Sequence, residues 1–284
     1  MGEEKLNRRK FLVQSFSGLS AIPLLSSSFN YRSFGDFSLR TLGKTGIRVT
    51  PLCVGASVAK DVSLIMYAFE NGINFIDTAR SYSEGNNEIL VGNALTETRD
   101  KIVIQTKIRL DNNELPSNGK GRKGSQEIKK TLSSKFNDSL RSLNTAYIDI
   151  LMIHDAMDES LLFHPETIKF FADLKSSGLI RASGFSCGSE PGLIKRNNSE
   201  QFYDVIMTPF HKEINISDYQ CFTDILSEAN EKGSGIIAMK TNLNPQSDPV
   251  KSAKWVLEHR FISSVVVPFR NFTEVDQFIP IIKR

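Results

Sequence analysis

Eight short apolar runs, separated by segments of helical period, constrain this chain more than any other feature. The runs are Pro51–Gly55, Asn74–Asp77, Ile102–Lys107, Ile148–His154, Ala182–Phe185, Asp204–Met207, Gly235–Met239 and Ser264–Pro268. Most are continuous rather than alternating, the pattern of strands buried on both faces in a parallel sheet. Between them run apolar stripes. Val62, Ile65, Met66 and Phe69 fall at i, i+3, i+4 and i+7, with Gly72 as a stop. Ile128, Leu132, Phe136, Leu140 and Leu143 mark a longer helix, and Phe222, Ile225, Leu226 and Ala229 another that Gly233 closes. Eight strands, each followed by a helix, in about 250 residues predict an α/β fold, the (β/α)8 TIM barrel. A doubly wound open sheet is the alternative. Phe37–Leu42 and Ile47–Val49 flank Gly43-Lys44-Thr45-Gly46 and read as a β-hairpin before the first barrel strand, placed to plug the barrel's bottom.

Composition removes several functional classes. The chain has 284 residues, 40% hydrophobic and 24% charged, an ordinary globular mixture. A net charge of +3 argues against electrostatically driven nucleic-acid binding. No apolar run reaches the ~18 residues of a membrane-spanning helix. Cys53, Cys187 and Cys221 are odd in number and far apart, so neither a disulfide framework nor a metal site is expected. The first thirty residues differ from the rest. Arg8-Arg9 precede an apolar stretch from Phe11 to Leu25 and then serines, and NRRKFL resembles a twin-arginine export signal. That likeness implies engagement of export machinery and an exported, periplasmic protein; a merely basic tail would leave it cytoplasmic. Ser26-x-Ser28 is the best cleavage site. We therefore divide the chain into a signal segment at 1–30 and one barrel domain at 36–284.

In a (β/α)8 barrel, side chains at the C-terminal ends of the strands build the active site. Asp77 ends the second barrel strand, and Tyr82 follows it in the loop. Lys107 ends the third strand and His154 the fourth. Each alone has an ordinary structural reading as a turn cap, rim packing, a snorkelling strand end or a core histidine. Together they converge on one rim. A phenol has a reference pKa of about 10. An ammonium beside it lowers that value, and a carboxylate such as Asp77 keeps a buried Lys107 charged and in place. A histidine nearby orients a substrate oxygen or shares its proton. The set is a proton-delivery device for an oxygen that becomes alkoxide-like. It contains no activated nucleophile and no electron source, so redox chemistry requires a cofactor that brings the hydride.

LGKTGIRVTPLCVG, Gly72–Ala79 followed by Tyr82, and the IHD around His154 occur in order between Phe37 and Phe278. In these motifs the chain resembles the aldo-keto reductase family. The resemblance implies a (β/α)8 barrel and NADP(H)-dependent chemistry on a small-molecule carbonyl or alcohol substrate. It implies Tyr82 as general acid, Lys107 and Asp77 tuning it, and His154 positioning the carbonyl. For the cofactor it implies Ser186 at the nicotinamide carboxamide, Phe210 stacked on the nicotinamide ring and Lys240 near the pyrophosphate. Arg270 would meet the adenosine 2′-phosphate, with Thr273 nearby. The chain departs from the family pattern at Cys187 (commonly Asn), Met207 (commonly Gln) and Phe269 (commonly Gly). These departures favour a rival reading, a weakly active or inactive barrel that binds nucleotide or a partner protein. A barrel hydrolase or lyase would need a nucleophile–base pair or metal cluster that the sequence does not present. Gly119–Gly124 is a literal G-x-G-x-x-G, but eleven residues separate it from Lys107. It reads as a basic βα loop rather than a dinucleotide fingerprint, which follows its strand directly. The short segment after Lys240 and the end at Arg284 lead us to expect an open pocket, suited to a large or sugar-like substrate.

Overall fold

The computed structural model describes residues 37–109, 122–157, 159–189, 191–214 and 216–283. The signal segment at 1–30, and Gly119 to Gly121 of the glycine-rich stretch, lie outside the described residues. Two short antiparallel strands, β1 (Arg40–Thr41) and β2 (Arg48–Val49), come first. Eight parallel strands follow and close a barrel: β3 (Leu52–Gly55), β4 (Phe75–Asp77), β5 (Val103–Ile108), β6 (Ile148–Ile153), β7 (Ile180–Ser186), β8 (Val205–Pro209), β9 (Gly235–Met239) and β10 (Ile262–Val267). They are hydrogen-bonded in chain order, and β10 pairs with β3 to complete the ring. Every boundary of the eight barrel strands lies within two residues of the sequence expectation, while β1 begins three residues later than expected.

The helices wrap this ring: α1 (Val62–Glu70), α2 (Asn86–Ala94), α3 (Arg122–Ser142), α4 (Glu159–Leu162), α5 (Pro165–Ser176), α6 (Pro191–Glu200), α7 (Ile216–Glu231), α8 (Pro249–Leu257) and α9 (Phe272–Phe278). Their starts are set by side-chain caps. Asp61 accepts from Ser63 N at 2.8 Å ahead of α1. Asp248 accepts from Val250 N at 2.9 Å ahead of α8, where Pro249 has no N–H to lose. One element differs from expectation. Arg122–Gly124 belong to α3 rather than to a loop. Good helix formers such as Gln126, Glu127, Lys129 and Lys130 carry the helix past the N-terminal end of its apolar stripe.

Two cores result. The outer one lies between strands and helices, and includes Ile65, Phe69, Leu132, Phe136, Phe171 and Leu226. The inner one fills the barrel. Leu42, Ile47 and Val49 of the hairpin pack there with Cys53, Phe75, Val103, Ile150, Met152, Ala182, Val205, Met207 and Ile237. Each large apolar side chain buried in this way contributes roughly 1.5–3 kcal/mol. The hairpin can sit this close because its turn carries Gly43 at φ +49°. A Cβ there would stand 2.1 Å from the Gly233 carbonyl oxygen, at the start of β9. Ser38 N donates to Ile282 O at 2.8 Å, and the Arg40 guanidinium donates to Ile262 O and Leu257 O at 2.7 and 3.0 Å. The N-terminal end of the barrel is thereby plugged, and the strand C-termini are left as its mouth. Among the described residues no helix is long and apolar enough to cross a membrane.

Candidate active site

Alternation along the strands decides what faces the barrel axis. Phe75 and Asp77 share the inner face of β4; Val103, Gln105 and Lys107 share that of β5. Asp77 is 2% exposed and Lys107 only 1%. A buried ammonium must be fully paired, and this one is. Lys107 Nζ donates to Asp77 Oδ1 at 2.6 Å and to the Thr78 carbonyl at 2.7 Å. It also reaches the Tyr82 hydroxyl at 3.4 Å. His154, the first residue beyond β6, sets its ring edge-on to Tyr82 with centroids 5.5 Å apart. The four side chains expected from strand ends are therefore brought together.

The loop that carries Tyr82 is fixed on several sides. Thr78 N donates to Gln105 O and Arg80 N to Lys107 O, both at 2.9 Å, so the chain runs beside β5 after β4 has ended. Tyr82 is followed by three residues of positive φ, Ser83 at 48°, Glu84 at 56° and Gly85 at 91°. Such a run costs backbone energy and persists only where its surroundings impose it. Here the Arg80 guanidinium crosses beneath, and a Cβ on Gly85 would lie 2.0 Å from Arg80 Nη2. Arg80 is held by Ser142 Oγ and by Glu88 Oε2, both at 2.7 Å. Glu88 is fully buried and takes a further bond from Thr106 Oγ1 at 2.7 Å.

The electrostatics separate the roles. Burial alone would strip Lys107 of its proton, but Asp77 and Tyr82 reverse this and raise its pKa. Tyr82 differs from the sequence expectation. Loss of hydration raises its pKa and outweighs the lowering by Lys107, so the phenol is held protonated. Burial first, and then the Lys107 and Arg109 cations, lower His154 to about 4 against the opposing pull of Asp155. His154 is thus neutral near pH 7, with Nδ1 hydrogen-bonded to Ser81 Oγ at 3.1 Å.

The opposite side of the mouth is less uniform. Ser186 ends β7, buried, and its hydroxyl accepts from Asp155 N at 2.9 Å. Cys187 turns into the outer core. Met207 points inward, where its sulfur takes a contact from Gln105 Nε2 at 3.3 Å. Phe210 is not presented to the mouth. Its ring is fully buried, stacked on Trp255 at 5.8 Å and edge-on to His259 and Phe261 at 4.9 and 5.7 Å. It stands three positions, an odd offset, beyond inward-facing Met207, so it leaves the strand on the helix side. Met239, the last residue of β9, packs instead against the inner core. Lys240 follows it, exposed and at φ +51°. Arg270 is 68% exposed and lies 4.0 Å from Glu274, while Thr273 is exposed in the first turn of α9. Arg270 also lines a groove of about 510 Å³ with Val58, Lys60, Leu64 and Phe272. Lys240 and Thr273 are not part of that lining.

Sequence reasoning passed over Gln105, Ser81, Met239 and Lys60. Gln105 had a signal, since it precedes Lys107 by two residues and must share its face. Met239 had the same kind of signal as the end of an inward row; Ser81 and Lys60 had none.

The model of the Aldo/keto reductase family matches residues 56–244. The uncharacterized oxidoreductase YqkF of Bacillus subtilis is 33% identical over 144 residues, which span 51% of this chain and 45% of that protein. The NADH-specific methylglyoxal reductase of Escherichia coli is 36% identical over 131 residues, 43% of this chain and 40% of its own length. The chain thus spans less than half the length of these curated relatives. Among solved structures, an aldo-keto reductase from Klebsiella pneumoniae in complex with NADPH superposes with a TM-score of 0.64 at 18% identity, covering 86% of this chain and 89% of that one. With two thirds of its length matched by the family model and a barrel of the same fold, the chain belongs to the aldo/keto reductase family.

Proposed function

We propose that the protein is an NADP(H)-dependent reductase of small-molecule carbonyls, with the reverse oxidation of alcohols. The observation that carries this reading is the buried chain from Asp77 Oδ1 through Lys107 Nζ to the Tyr82 hydroxyl, beside a neutral His154. A phenol held protonated loses nothing to solvent at neutral pH. It gives up its proton when a neighbouring oxygen becomes alkoxide-like, and Lys107 then stabilises the phenolate. Asp77 keeps Lys107 charged. His154, being neutral, donates or accepts a hydrogen bond without adding charge and so orients the substrate oxygen. When bound, the nicotinamide supplies the hydride.

The residues present suit such a cofactor. The Ser186 hydroxyl, at the end of β7, retains a hydrogen to donate to a carboxamide. Lys60 and Arg270 give the groove beside α9 two cations for a phosphate, and Lys240 offers a third near the end of β9. Met239 takes the place proposed for Phe210 as the apolar surface under the ring. The choice of NADP(H) rests on Arg270 and the groove, since the relatives include an NADH-specific enzyme. Titration with NADPH and NADH, followed by an aldehyde, ketone and sugar panel, tests the proposal. Tight NADPH binding with turnover supports it; turnover without nucleotide ends it. The buried Phe210 favours a second reading, a nucleotide- or protein-binding barrel with little activity, which predicts binding without turnover.

We also infer export from NRRKFL alone. The twin-arginine route carries folded proteins, so the cofactor would be loaded before crossing. Replacing both Arg8 and Arg9 by lysine should leave the protein in the cytoplasm; unchanged fractionation would refute export by this route.

A further inference from the structure

We propose that Gln105 is a positioning residue of the proton-delivery chain: its amide nitrogen, set between Asp77 Oδ1 and Met207 Sδ, holds the carboxylate so that the Lys107 ammonium keeps one hydrogen for Tyr82. The inference deepens the reading of Tyr82 as the acid and rests on it.

Gln105 is 0% exposed, one strand pair below Lys107 on the same inner face of β5. Its Nε2 donates to Asp77 Oδ1 at 2.7 Å, the same oxygen that Lys107 Nζ binds at 2.6 Å. The two donors converge on one atom, and that atom's position is fixed by both. The orientation of the amide follows from chemistry. Turning it over would set Oε1 against the carboxylate, so the NH2 group must face Asp77. Oε1 then has no hydrogen-bond partner among the described residues, an expensive arrangement for a fully buried acceptor. A residue kept only for packing would be apolar at this place, as its neighbours Val103 and Met207 are. Retaining the amide makes sense if its bond to Asp77 is what the site requires.

The consequence for Tyr82 can be traced. Lys107 has three hydrogens and three acceptors: Asp77 Oδ1, the Thr78 carbonyl and the Tyr82 hydroxyl. Asp77 opposes ionisation of the phenol while Lys107 favours it. By donating to Asp77, Gln105 draws off part of the carboxylate's charge without adding any of its own. More of the ammonium's field is left for Tyr82. The other charged or titratable groups around the phenol are Asp155 and His154 beyond β6, with Arg109 beside Asp155. Cys53 of β3 is buried near Asp77 and Lys107, where desolvation keeps it a thiol. None of these donates to Asp77 Oδ1.

Gln105→Met keeps length and apolar volume, and removes the amide. The 13Cζ resonance of Tyr82, identified by its loss in Tyr82→Phe, is followed in the cofactor-free protein as pH is raised. In Gln105→Met we expect its midpoint about one pH unit higher, with carbonyl reduction slowed about tenfold at unchanged nucleotide affinity. Gln105→Glu puts a second acid beside Asp77 and should move the midpoint further in the same direction. A midpoint in Gln105→Met equal to wild type would overturn the proposal, whatever happens to melting temperature. The titration stands apart from turnover: if Tyr82→Phe proved fully active, the catalytic reading would fall while the resonance still reported on Gln105.

Discussion

On the β4–β6 side of the mouth, Asp77, Lys107 and Gln105 are all but inaccessible, and short hydrogen bonds join them. On the β7–β10 side, a thioether stands at position 207, the Phe210 ring faces the helices, and Arg270 is exposed. The contrast is the one expected from the two kinds of chemistry proposed above. A proton moves only between atoms held within a few tenths of an ångström, and a buried charge tolerates no missing partner, so that side admits few alternatives. A ring or phosphate can be held by different side chains so long as surface and charge are supplied. Met239 can serve where an aromatic does not, and Lys60 can join Arg270 at a groove.

The contrast can be broken or sharpened by experiment. The largest effect should come from Tyr82→Phe, which leaves the ring and removes the proton. We expect carbonyl reduction to fall by about 10²–10⁴-fold with nucleotide affinity unchanged, as read by steady-state kinetics and fluorescence titration. Lys107→Met strands the Asp77 carboxylate in the barrel and should cost about 3–5 kcal/mol in urea unfolding, part of which Asp77→Asn in the same chain should restore. Acid should act through His154. Its folded pKa of about 4 lies below the ordinary 6.5, so the unfolded chain binds the proton first as pH falls. Stability contributed by this group should be complete above about pH 6.5 and drop by on the order of 3 kcal/mol toward pH 4, a loss that His154→Gln would remove. The smallest effect belongs to the looser side. Arg270→Ala should weaken NADPH about tenfold while leaving NADH nearly untouched, since one exposed charge meets one phosphate. Equal losses for both nucleotides would place Arg270 outside the phosphate site.

Much of this was legible in the chain. Continuous apolar runs gave every barrel strand to within two residues, and the glycine-flanked KT gave the hairpin. Asp77, Lys107 and His154 were found because strand ends have a defined place in the fold. Phe210 misled because its residue type was considered and its parity was not: with Met207 inward, a residue three further on faces the other way. Counting by twos would also have put Gln105 beside Lys107. The upward pKa of Tyr82 was beyond sequence reasoning, because it depends on how much water the folded loop excludes, and no local pattern encodes that.

The plugged floor also dictates when the molecule can become itself. Its hydrogen bonds join Ser38 to Ile282, Lys44 to Lys232 and Arg40 to Ile262, pairs separated by 188 or more positions. The ring closes only when β10 reaches β3. A growing chain that already holds Asp77, Tyr82, Lys107 and His154 therefore has the residues of the site but no closed barrel to exclude water from them. Contacts of such separation form slowly, because a long loop must be closed before any of them is gained. The closed pocket is complete only once the last strand has joined the first.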